Sequence, residues 1–134
     1  MKVRCISTRL TSEQQAQLRI THGKSGDYQI ILGNTYLVLG ITFMFPVEPH
    51  GGGIHYEILG DFGNCQGVPS HLFEIEDPRC SRYWIAKQHP DGDVVLWPEE
   101  FFAEFFHDYL SEGLAAPVAA FKIVVKRLKS EFAD

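Results

Sequence analysis

The sequence predicts an α+β fold: a strongly curved, mostly antiparallel sheet of five or six strands with two amphipathic helices at its C-terminal end. Two observations carry this prediction. Between residues 3 and 97, short β-branched and aromatic runs recur between turns rich in Gly, Pro and Asp. Beyond residue 98 the apolar spacing changes from every second residue to every third and fourth. The 134 residues fit one domain, residues 1–134, and bury enough surface to fold without a covalent staple.

The elements follow in order. Residues 3–7 form a first strand. Thr11 with Gln14 three residues on is a capping-box pattern, and a short helix from there ends near Thr21-His22-Gly23. Residues 28–32 and 35–45 flank Gly33-Asn34 and read as a hairpin, the second run apolar enough for a central strand. Pro46 to Gly53, with two prolines and three glycines, is a loop. Residues 54–59 alternate, with Ile54, Tyr56 and Ile58 opposite His55 and Glu57. Residues 60–70 are irregular. Residues 72–76 alternate again, Asp77-Pro78 turns the chain, and residues 82–88 and 93–97 pair across Pro90-Asp91-Gly92. Residues 54–97 therefore read as a four-strand meander.

Pro98 starts the first C-terminal helix, with Glu99 and Glu100 at its positive end and Gly113 as its stop. One half of its wheel carries Phe101, Phe102, Phe105, Phe106, Tyr109 and Leu110, the other Glu100, Glu104, His107 and Asp108. A second helix from about Pro117 carries Val118, Phe121, Val125, Leu128 and Phe132 on one face, with Lys122, Lys126 and Lys129 opposite.

Charge is segregated. The net charge is −5, but residues 48–112 hold thirteen acids against Arg79, Arg82 and Lys87, while both flanks are basic. A segment at −10 repels phosphate, which disfavours direct nucleic-acid binding, and attracts a basic protein partner. No apolar run has the length of a membrane span or the place of a signal-peptide core. Cys5, Cys65 and Cys80 form an odd set without a Cys-x-x-Cys pair and read as reduced thiols, so the expected compartment is the cytoplasm.

Catalytic and metal patterns are weak. His50 and His55 lie five apart across a Gly-rich loop, which matches neither a helical pair nor a zinc-finger spacing, so no metal and no cofactor is expected. Glu104 and His107 have Glu-x-x-His spacing but fall on the polar side of the wheel. Gly51-Gly52-Gly53 lacks the Lys-Ser/Thr of a phosphate loop. Cys80, beside Arg79 and Arg82, is the thiol most exposed to cationic neighbours. A carboxylate face built from Glu57, Glu74 and Glu76 together with His55 requires that their strands be neighbours.

Two stretches also resemble a known family. Residues 33–45 (GNTYLVLGITFMF), taken with the stretch from Leu72 to Gly113 (LFEIEDPRCSRYW, then DGDVVLWPEEFFAEFFHDYLSEG), resemble small cytoplasmic immunity proteins of bacterial contact-dependent inhibition and other polymorphic toxin systems. The resemblance covers about half the chain and implies a non-enzymatic protein that binds and blocks a cognate toxin domain, often a basic nuclease. It assigns no single residue. The acidic surface expected to meet that partner consists of Glu57, Asp61, Glu74, Glu76, Asp77, Asp91 and Asp93. The alternatives are a small enzyme using the His50–His55 loop or Cys80, and an adaptor or homodimer joined through Phe43, Phe45 and the C-terminal phenylalanines. The sequence leaves the oligomeric state open.

Overall fold

A computed structural model describes residues 1–18, 28–45 and 52–133. The described residues form seven strands: β1 (Lys2–Cys5), β2 (Thr35–Met44), β3 (Gly53–Leu59), β4 (Cys65–Pro69), β5 (Phe73–Asp77), β6 (Trp84–Gln88) and β7 (Val94–Pro98). The helices are α1 (Ser12–Gln17), α2 (Phe106–Ser111) and α3 (Ala115–Glu131). The α+β class is therefore as predicted, with seven strands rather than five or six, and the sheet is open rather than strongly curved.

The long strand β2 organises the sheet. One edge pairs with β3, which pairs in turn with β4. The other edge is shared: residues 35–37 pair with β1, and residues 41–43 pair with β7. The sheet thus forks into a β1–β5 limb and a β7–β6 limb, and every pairing is antiparallel. At the fork the register of β2 against β3 slips between Val38 and Gly40, a bulge that leaves Leu39 unpaired. The Leu39 carbonyl accepts a hydrogen bond from the Trp84 indole at 2.9 Å, so the acceptor released by the bulge is satisfied across the fork.

Two apolar clusters lie on opposite faces of this sheet. One gathers Val3, Cys5, Leu10, Leu18, Val38, Ile58, Val68 and Leu72. The other gathers Leu39, Phe101, Phe106, Phe121, Val124 and Leu128 under the C-terminal helices. Glu100 ties this second layer together by accepting two hydrogen bonds from the Arg127 guanidinium, at 2.8 and 3.1 Å. No helix among the described residues is long and apolar enough to cross a membrane.

The capping box of α1 forms as predicted, with Thr11 and Gln14 bonding reciprocally. The end expected near residues 21–23 lies outside the described residues. Residues 28–32 are not a strand. The Gly33-Asn34 turn is there, but its backbone bonds to Cys5 of β1, while Ile31 N–H donates to the Tyr36 hydroxyl.

The four-strand meander also gives way. The irregular stretch after residue 60 contains β4, whose Gly67 and Pro69 hide a strand pattern, and β4 closes a hairpin with β3. A 3-10 turn, Ser70–Leu72, then carries the chain to the far limb, where β5 joins β1. Strands β3 and β5 are therefore separated by β2 and β1.

The helix expected from Pro98 is broken. A 3-10 turn, Glu99–Phe102, ends at an extended Ala103, and Phe105 adopts a left-handed φ of 56° before α2 begins. The break lets Phe101 and Phe106 stack at 5.0 Å beneath α3, which an unbroken helix would not arrange. Gly113 ends α2 with φ 78°, and Leu114 N–H and Gly113 N–H return to the carbonyls of Tyr109 and Leu110. Helix α3 then starts at Ala115, two residues before Pro117.

Candidate functional site

The most distinctive local chemistry lies on the helix-covered face of the sheet. Gly40, Glu57 and Gly67 are register partners across β2, β3 and β4. Neither register partner of Glu57 has a side chain, and on the Gly40 side its carboxylate lies close against the neighbouring strand. A methyl group on Gly40 would stand 3.3 Å from Glu57 Oε2 and 2.8 Å from Trp97 Cδ1. Glycine inside a strand marks such a close approach.

His107 of α2 packs over Glu57. Its ring packs against Trp97 at 4.8 Å and Phe101 at 5.2 Å, and its Nε2 stands 3.1 Å from Glu57 Oε1. The pair is at ion-pair distance without the alignment of a hydrogen bond. His107 Nε2 and Glu57 Oε2 are both buried without a hydrogen-bond partner among the described residues. Cys65, the register partner of Leu59, completes the cluster. Burial, with Glu57 nearby, pushes its thiol far above the usual range and keeps it neutral. One donor atom from each of Glu57, Cys65 and His107 lies within 4.8 Å of the others.

Cys65 and His107 also border a cleft of about 990 Å³ between the β3–β4 turn and α3. Asp61, Phe62 and Asn64 form one wall, and Lys122, Lys126 and Lys129 edge the other. The phase break at Phe105 explains why His107 points inward although the helical wheel places it on the polar side. The pair of strand glycines was the available signal for Glu57.

The predicted acidic residues do not form one patch. Glu57 is inside the cluster just described. Asp61, in the β3–β4 turn, accepts a hydrogen bond from Tyr36 at 2.7 Å. On the edge strand β5, Glu74 pairs with Arg4, Glu76 accepts from Thr35 at 2.7 Å, and Asp77 is held by Arg79 at 2.6 Å. That contact with Arg79 holds the Asp77 carboxyl well below the ordinary carboxylate range. Asp91 and Asp93 lie at the far end of β2, where Asp93 accepts from Phe45 N–H. The ten residues of β2 span about 33 Å, which separates this turn from Glu74 and Glu76.

A different acidic surface stands out on α2. Phe105 is 57% exposed and Tyr109 40% exposed, and their rings meet at 5.8 Å. Exposed Glu104, Asp108 and Glu112 surround them, and none of the three makes an ion pair among the described residues. The sequence places both aromatics in the buried stripe. Instead, Phe105 holds a left-handed backbone and stands in solvent, a strain of the kind that clusters at functional positions.

The remaining motifs have settled places. His50 and Gly51 lie outside the described residues. His55 is described, and burial with His71 nearby lowers its pKa. All three cysteines are free thiols, with Cys80 exposed. Arg79 and Arg82, its cationic neighbours, engage Asp77 and Glu131. In comparisons with family models, curated proteins and solved structures, nothing matches the chain.

Proposed function

We propose that the protein is a binding module that neutralises a basic protein domain, a toxin of the polymorphic class, by docking it on the outer face of α2. The observation that carries this reading is the exposed Phe105–Tyr109 pair ringed by Glu104, Asp108 and Glu112. Rigid aromatics supply contact area at low entropic cost, and the carboxylates steer a cationic partner and fix its orientation. The sequence resemblance to immunity proteins points the same way. So does the concentration of acid between residues 48 and 112. The three free thiols fit a reducing compartment, and the cytoplasm is where such a protein would meet an incoming toxin. No catalytic step is assigned to this surface.

The test is capture from the protein's own host lysate at moderate salt, using wild type beside the Asp108→Lys/Glu112→Lys variant. Retention of a basic toxin domain by the wild type, at least tenfold reduced in the variant, is the expected result. Equal retention by both would refute the α2 surface.

A further inference from the structure

We infer that Glu57, Cys65 and His107 form a site for a zinc-class divalent metal ion, with the cleft beneath α3 as its route of entry. The site lies on the opposite side of α2 from the docking face: His107 points from α2 toward the sheet, where it meets Glu57 of β3.

Three observations converge. The donors are an imidazole, a thiol and a carboxylate, the mixed nitrogen, sulfur and oxygen set that Zn²⁺ and Co²⁺ take and that Mg²⁺ and Ca²⁺ do not. Their atoms already lie within 4.8 Å of one another. Tetrahedral ligands at zinc bond lengths of about 2.0–2.3 Å stand about 3.3–3.8 Å apart, so closure by about one ångström completes the set. The second observation is the pair of orphaned atoms: His107 Nε2, 3.1 Å from Glu57 Oε1, and Glu57 Oε2 each lack a hydrogen bond among the described residues. A buried polar atom left unpaired is costly, and a cation satisfies both at once. Third, Gly40 lets the Glu57 carboxylate lie close against β2, with Oε2 3.3 Å from where a Cβ would stand, and the cleft reaches Cys65 and His107 from solvent.

On binding, Cys65 releases its thiol proton to solvent and coordinates as thiolate. With three protein donors a fourth position stays open toward the cleft, where Lys122, Lys126 and Lys129 would favour an anionic fourth ligand. The ion would also hold α2 against the sheet, since His107 belongs to that helix and Glu57 and Cys65 to the hairpin.

The experiment titrates Co²⁺ into the purified, reduced, metal-free protein and reads the near-ultraviolet thiolate-to-metal charge-transfer band together with the visible bands of tetrahedral cobalt. One Co²⁺ per chain, displaced by Zn²⁺ and not by Mg²⁺, is expected. Cys65→Ser should abolish the charge-transfer band, and His107→Gln should weaken binding at least tenfold while keeping the band at saturation. Cys80→Ala should change neither. A wild-type protein that develops no band overturns the proposal. So does a band that survives Cys65→Ser or disappears in Cys80→Ala. Should Cys65→Ser fail to fold, His107→Gln decides: unchanged affinity there refutes the site.

Discussion

At Phe105, backbone and side chain want different things. The left-handed conformation costs a non-glycine residue about 1–2 kcal/mol, and the ring recovers little of it, being 57% exposed. Phe105→Gly should therefore stabilise the fold by up to about 1 kcal/mol in urea denaturation while weakening partner binding. Loss of stability on that change would mean that the ring supports the fold. Gly40 is the opposite case, a small residue fixed by its neighbours. Gly40→Ala places a methyl 2.8 Å from Trp97 Cδ1, in a strand bordered by buried side chains, and should destabilise by about 1–3 kcal/mol. A cost near zero would show that the Trp97 ring and Glu57 move aside freely.

At the scale of elements, the bulge in β2 and the break before α2 do most of the positioning. The bulge allows one strand to serve two limbs, and the break aims Phe106 and His107 inward while leaving Phe105 and Tyr109 outside. The link between the 3-10 turn and α3 runs through Glu100, whose carboxyl the Arg127 guanidinium holds below its ordinary value. A lowered carboxyl contributes stability above the unfolded-state pKa, and that contribution is lost as pH falls through the folded value. Glu100→Gln should thus cost about 1 kcal/mol at neutral pH, after allowance for solvent screening. The difference from wild type should shrink in acid. A difference that holds constant with pH would place the effect in packing rather than charge.

For the molecule as a whole, the sequence made the class of fold legible but not its connections. The capping box at Thr11, the stop at Gly113 and the apolar stripe of α3 depend on neighbouring residues, and all could be read directly. The destination of β5 depends on which edge is vacant, and β4 was masked by Gly67 and Pro69. The same limit applied to function. Acid content marked the middle of the chain, but which acids stand free depended on Arg4, Thr35 and Tyr36, partners distant in sequence, and on the side-chain orientation of the nearby Arg79. Glu104, Asp108 and Glu112 remain without an ion pair among the described residues, and they surround the strained aromatic pair. The role proposed for this face of α2 is to receive a basic protein. Its most direct test is the association rate between this protein and the domain it captures, measured at low and high salt for wild type and Asp108→Lys/Glu112→Lys. Wild type should associate at a fast, salt-sensitive rate, and the variant at a slower, salt-insensitive one. Identical rates and identical salt dependence would contradict it.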